Sequence, residues 1–235
     1  SGGTTDVNEA GPTSDTYTIA LNSQPTASVT ITIDPDNQTG LGAGAGVAIN
    51  RTFTTANWNT PQTITVTAVN DAIAEGPHIS TITHVAASSD AKYNAIAIGN
   101  VVASITDNDT AGVTIVQSGG STNVNETGPT SDTYTIVLTS QPTANVTVYV
   151  DPDPQTTVGA GAGVAILRTF TSANWSTAQT ITVTAVNDLV AEGPHTSTIV
   201  HTASSSDTMY NGIAIGSVVA NVTDNDTAGV TVTQS

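Results

Sequence analysis

Cysteine is absent from these 235 residues, and lysine and arginine together number three, Arg51, Lys92 and Arg168. Without cysteine there is no disulfide framework and no thiolate nucleophile or metal ligand. With so few cations there is no basic patch to displace counterions from nucleic acid or to read an anionic membrane surface. No apolar run nears the ~20 residues of a membrane-spanning helix. The first residues lack the charged and apolar blocks of a signal peptide, so the chain is expected to be a mature or excised segment with no membrane insertion. Charged residues make up only 9% of the chain, but 37% is hydrophobic, enough to bury a core. What is present is acid: 19 Asp and Glu give a formal net charge of -16.

Self-comparison at an offset of 117 places Ser14–Asp36 on Ser131–Asp153, and residues 1–117 align with 118–234 without a gap and with 30 mismatches. Two copies of one domain of about 117 residues follow, an ordinary domain size. Many mismatches keep the kind of side chain, as in Ile31/Val148 and Ile105/Val222. Within a copy the apolar period is two. Ile64, Val66 and Ala68 alternate with threonines in QTITVTAV, and SVTITI (28–33), DTYTIAL (15–21) and VVASIT (101–106) behave similarly. The expected strands run over about 15–22, 28–34, 46–55, 62–69, 78–86 and 100–107. Thr, Val and Ile alternation bounded by Gly, Pro, Asn and Asp predicts half-buried strands, and no segment carries a helical period. With GVTIVQ at 112–117, about seven strands per copy predict an all-β fold of tandem immunoglobulin-like sandwiches.

GVTIVQ opens the second copy, and its counterpart GVTVTQ (229–234) stands beyond the second copy's last turn. The predicted division is therefore 1–110, a first repeat lacking its own first strand; 111–227, the second repeat; and 228–235, a strand belonging elsewhere. Either the segment comes from a longer array, or the last strand completes the open edge of another molecule. Both imply further copies of the same repeat or chain as partners.

Fourteen of the 19 acids fall at four turns repeated in register. The first copy has Glu9 in VNEAG, Asp34 and Asp36 in DPD, Asp71 and Glu75 in NDAIAE, and Asp107 and Asp109 flanking Asn108 in DND. The second has Glu126, Asp151, Asp153, Asp188, Glu192, Asp224, Asn225 and Asp226 at the same points. Strand ends at alternate turns of a sandwich gather at one pole, and carboxylates gathered there repel unless a cation lies among them. Six to eight oxygen ligands suit Ca²⁺ better than Mg²⁺, which keeps its waters, or zinc, which favours His and Cys. DND and DPD are also good turn formers in their own right, since Asp and Asn hydrogen-bond the backbone two residues on. Asp15 and Asp132, at strand heads, read as turn or capping residues.

VNEAG, then RTFTTANWNTPQTITVTAVND with a Glu four residues on, then ASITDND, resembles the Calx-beta domain over essentially the whole of each copy. The resemblance implies a calcium-binding immunoglobulin-like sandwich. It assigns calcium to Glu9, Asp34 or Asp36, Asp71 with Glu75, and Asp107 with Asp109, and to their second-copy equivalents. Two departures, Asn108 inside the closing triplet and a single acid in AEGPH, point to one to three ions per copy. Cadherin-like arrays, by the same resemblance, stiffen their linkers with calcium, and the DND turn runs through only Thr110 and Ala111 into the next copy.

Other features carry less. His78 and His84, like His195 and His201, are six residues apart on one strand face, too far apart at ~3.3 Å per residue to share a metal directly; a structural role is expected. GAGAG (42–46, 159–163) lacks the GK[ST] ending of a phosphate loop, and no serine sits in G-x-S-x-G. Trp58 and Trp175 read as packing residues, with sugar stacking as the competing reading. The sequence thus predicts a non-enzymatic, calcium-stiffened stalk, adhesin shaft or filament of an extracellular or cell-surface protein, bacterial in style. The alternatives are a filament subunit joined by its donated C-terminal strand, and a carbohydrate-binding module that takes a glycan.

Overall fold

The computed structural model describes residues 3–234. The chain forms two compact units, Ser1–Asn108 and Asp109–Ser235. Apart from one 3₁₀ turn at Ser118–Gly120, the regular elements among the described residues are strands, and no helix is long and apolar enough to cross a membrane.

The first unit contains β1 (Thr5–Asn8), β2 (Ser14–Ile19), β3 (Val29–Pro35), β4 (Thr39–Gly40), β5 (Ile49–Phe53), β6 (Gln62–Ala68), β7 (His78–Ser88) and β8 (Val101–Thr106). They form a five-stranded sheet, β1-β8-β7-β3-β5, and a three-stranded sheet, β2-β6-β4. All pairings are antiparallel except β1 with β8, which run parallel from Thr5↔Ala103 to Asn8↔Thr106. The alternation places Val29, Ile31 and Ile33 of β3, Phe53, Ile64, Val66, Ile82 and Ala103 inside. Burying each larger member stabilises the unit by roughly 1.5–3 kcal/mol, so the two facing apolar rows hold the sheets together.

The second unit repeats this plan with β10 (Thr122–Asn125), β11 (Ser131–Leu138), β12 (Val146–Pro152), β13 (Thr156–Thr157), β14 (Ile166–Phe170), β15 (Gln179–Ala185), β16 (His195–Ser205) and β17 (Val218–Thr223). It adds β9 (Val113–Gln117), which pairs antiparallel with β11 and makes a four-stranded sheet β13-β15-β11-β9 facing β10-β17-β16-β12-β14. Val113 and Ile115 of β9 pack against the core.

The fold is thus the all-β sandwich read from the alternation, with differences in detail, among them the two-residue strands β4 and β13, which were not expected. β1 and β10 were not among the expected strands: at four residues each, with only Thr5 and Val7, or Thr122 and Val124, turned inward, they carry too short a pattern to register. The segment expected as a strand over 46–55 is paired only at Ile49–Phe53, after a glycine-rich stretch that carries an isolated bridge at Ala45. Residues 228–234, expected as a strand, have none to pair with among the described residues, and Val230 and Val232 stand 93% and 84% exposed.

Candidate metal centre

The topology itself gathers the acids. β1 and β8 are parallel, so Glu9 and Asp107, each just past its strand, lie at the same end. β7 is antiparallel to β8 with His78 opposite Ile105, which brings the start of β7 and the preceding Glu75 to that end too. The second unit repeats this through β10, β17 and β16, with His195 opposite Val222.

Glu9 and Glu126 are the innermost members, each 1% exposed. Their backbones extend the parallel ladder by donating to Thr106 O and Thr223 O, both at 3.1 Å. That pairing turns the side chains inward. In the second unit both Glu126 oxygens are buried without a hydrogen-bond partner. Oxygens of Glu126, Asp224 and Asp226 lie within 4.8 Å of one another, as do ligand atoms of Glu126, Glu192 and His195. Asp226 Oδ2 and His195 Nε2 are likewise buried without a hydrogen bond. In the first unit Glu9, Glu75 and His78 converge in the same way.

The electrostatics follow. Burial, then the neighbouring charges of Asp107 and Asp71, pushes the Glu9 carboxyl up to about 7. Burial, then Asp224 and Asp188, raises Glu126 above the ordinary carboxylate range. Asp224 shifts the other way, because the backbone amides of Asp226 and Gly193 donate to it and favour its ionised form. Its contacts are Asp226 N at 2.7 Å, Glu192 N at 2.6 Å and Gly193 N at 2.5 Å, and Asp107 takes the Glu75 and Gly76 amides at 2.7 Å. These two aspartates therefore fix the AEG loop against the end of the last strand as well as contributing charge.

The remaining sequence-derived residues divide by location. Asp71 and Asp188 close tight turns by accepting from Ile73 N and Val190 N, both at 2.7 Å, and act on the buried glutamates through charge. Asp36 is taken up by Ser80 Oγ at 2.6 Å, Thr81 N at 2.7 Å and Gln38 N at 3.1 Å. Asp153 has the same three partners in Ser197, Thr198 and Gln155. That bonding makes the pair a stitch between β3 and β7, or β12 and β16, and they belong to no ligand trio. Asp34 and Asp151 stand exposed on their strands, outside the trios. Asn108 is exposed at the end of the first unit, Asn225 donates to Asn187 Oδ1 at 2.9 Å, and Asp109 opens the second unit.

His78 and His195 are members of the cluster that sequence reasoning set aside. Each Nδ1 donates to a loop carbonyl, Gly76 or Gly193, at 2.9 Å. A carbonyl cannot donate, so the proton on Nδ1 is fixed and Nε2 faces the acids: 3.3 Å from Glu75 and 3.8 Å from Glu9 in the first unit, 3.6 Å from Glu192 in the second. The signal was the recurrence of His three residues after the loop acid. His84 and His201 sit mid-strand, where the Nε2 of each shares a hydrogen bond with the hydroxyl of Tyr17 or Tyr134, at 2.9 and 2.8 Å; in His201 the Nδ1 proton goes to Gly216 O at 2.9 Å, so its Nε2 accepts. Trp58 and Trp175 are partly buried against their cores.

The fold and site define a tandem β-sandwich whose repeats each carry a partly buried carboxylate cluster at one pole. No protein-family model and no curated protein matches the chain. Among solved structures it is similar to CBD12 from CALX1.2, at TM-score 0.36 and 10% identity over 94% of this chain and 97% of that one. It is also similar to the calcium binding domain CBD12 of CALX1.1, at TM-score 0.31 and 12% identity over 86% and 78%. A glycosyl hydrolase family 2 member from Bacteroides cellulosilyticus gives TM-score 0.35 and 12% identity over 91% of this chain but 28% of its own. These are distant likenesses of fold.

Proposed function

We propose that the chain is a pair of non-enzymatic structural repeats from an extracellular or cell-surface stalk, adhesin shaft or filament, held rigid by Ca²⁺ at the acidic pole of each repeat. The observation that carries this is Glu126: a carboxylate buried with both oxygens unbonded, beside two aspartates and a glutamate, is strongly unfavourable alone and well suited to a hard divalent cation. Glu126, Asp224, Asp226 and Glu192 would hold the ion in the second repeat, with Glu9, Asp107 and Glu75 as their first-repeat counterparts. What the ion supplies is charge: it replaces mutual repulsion by attraction and ties the Glu-bearing turn, the AEG loop and the end of the last strand together.

A repeat braced this way suits a surface protein that has no cysteine to cross-link it. The closing turn of the first repeat runs through Asn108, where the units divide, into β9. Calcium engaging that turn would restrict the linker.

Calcium titration with thermal unfolding tests the reading. Binding to the native state alone raises Tm with ion concentration, by ~2.7 kcal/mol at a hundred times Kd, or ~10 °C or more for a domain of this size. Magnesium at equal concentration should do much less. Small-angle scattering with and without chelator then reads the linker, where unchanged inter-domain flexibility would remove the stiffening role. A Tm unmoved by millimolar calcium would remove the metal itself.

A further inference from the structure

His195 stands at the acidic pole with only one of its two ring nitrogens engaged. Its Nδ1 proton goes to Gly193 O at 2.9 Å, so Nε2 of the neutral ring presents a lone pair, and that atom is buried with no hydrogen bond. What it faces is another acceptor, Glu192 Oε2 at 3.6 Å. Two acceptors turned toward each other in a buried site repel unless a proton or a cation lies between them. The first repeat has the same arrangement: Nδ1 of His78 donates to Gly76 O at 2.9 Å, and Nε2 lies 3.3 Å from Glu75 Oε2 and 3.8 Å from Glu9 Oε1.

The surroundings hold these side chains in a ligand's pose. Glu192 is fixed through its other oxygen, Oε1, which accepts from Gln155 Nε2 at 2.8 Å, and Gln38 holds Glu75 Oε1 at 2.8 Å in the first repeat. A histidine that gives one ring N–H to a carbonyl while its other nitrogen points at hydrogen-bonded carboxylates is the arrangement by which proteins orient metal ligands. Glu126 supplies the third donor. It is 1% exposed with both oxygens unbonded, and its ligand atom lies within 4.8 Å of those of Glu192 and His195.

The nitrogen decides which ion suits this trio. Ca²⁺ and Mg²⁺ take oxygen ligands, whereas imidazole suits zinc and its neighbours in the transition series. Ligands held at ~2.0–2.2 Å around a tetrahedral Zn²⁺ stand ~3.3–3.6 Å apart, and the His–Glu separations of 3.3 and 3.6 Å in the two repeats match that edge. The other trio, Glu126, Asp224 and Asp226, offers oxygen alone. Glu126 belongs to both and has two unbonded oxygens, one for each.

We propose that each repeat carries a second cation position beside the calcium position, and that it takes Zn²⁺. Glu126, Glu192 and His195 form it in the second repeat, and Glu9, Glu75 and His78 in the first. Glu126 bridges the two ions. With both present Glu192 serves zinc, and calcium keeps Asp224, Asp226 and the bridging glutamate. The inference rests on the reading of this pole as a cation site and adds to it a histidine ligand and a second metal.

Isothermal titration of Zn²⁺ into the 235-residue chain saturated with calcium should show two sites, one per repeat. His78→Gln with His195→Gln keeps polar side chains of similar reach; it should weaken zinc more than tenfold and leave the calcium-induced rise in Tm in place. On the unsubstituted chain, long-range ¹H–¹⁵N spectra of the four imidazoles read the ligand atom directly. Zinc should shift Nε2 of His78 and His195, keep their Nδ1 protonated, and leave His84 and His201 where they are. Zinc binding that millimolar calcium abolishes would reduce the two positions to one and overturn the proposal. Undiminished zinc affinity in the double variant would do the same, as would spectra showing His78 and His195 as imidazolium ions unmoved by zinc. A chain whose Tm ignores calcium but which binds zinc through these histidines would remove the calcium reading and leave this one standing.

Discussion

Glu9 and His84 respond to pH in opposite senses, which makes the metal-free stability profile a sum of cancelling slopes. Burial lowers the readiness of His84 and His201 to take a proton, so their share of stability is lost as pH falls below about 6.5. The folded Glu9 carboxyl titrates at about 7 against 4.5 when unfolded. Between those values the folded state holds a proton that the unfolded state has released, so its contribution falls as pH rises from 4.5 to 7. A difference measurement isolates it. In chelator, Glu9→Gln should melt with wild type at pH 5 and several degrees above it at pH 7.5, and in saturating calcium the order should reverse, because a ligand has been lost. A constant offset across that range would mean that Glu9 does not carry the titration.

The elements were legible where the alternation ran for five residues or more, as in QTITVTA of β6, and illegible where pairing is decided by distant partners. β1 is four residues long and exists because β8 offers it a parallel edge, which no local pattern encodes. The acid pole was readable as a repeated constellation, but the division of labour within it was not. Asp36 and Asp107 look alike in sequence, and only the approach of Ser80 and Thr81 to Asp36 makes it a stitch. The turn after β7 shows the same limit. Ala95 N donates to Ala86 O in the left-handed region, at φ 56°, where the second repeat has Gly212 at φ 71° donating to Ala203 O. An alanine there costs ~1 kcal/mol or more that glycine does not. Ala95→Gly should therefore raise the melting temperature of the first repeat by a few degrees, and Gly212→Ala should lower that of the second.

At the scale of the molecule, two repeats with about three residues in four identical should not be equally stable. The first leaves a groove where the second has β9, and Ile136 and Tyr134 bury area that Ile19 and Tyr17 leave partly open. Losing the burial of two apolar side chains of this size amounts to roughly 2–4 kcal/mol, with the unpaired β2 edge adding to it. Each repeat contains one tryptophan, partly buried against its own core, so each can be watched separately. In chelator, Trp175→Phe leaves Trp58 reporting the first repeat, and Trp58→Phe leaves Trp175 reporting the second. The Trp58 transition should come at the lower denaturant concentration. A synthetic peptide of residues 112–117, which carries the β9 strand, added in excess should move it up and leave the Trp175 transition in place, because the second repeat already has its strand. Coincident transitions would mean that the missing strand does not weaken the first repeat. A peptide that moved both would point to binding away from the groove.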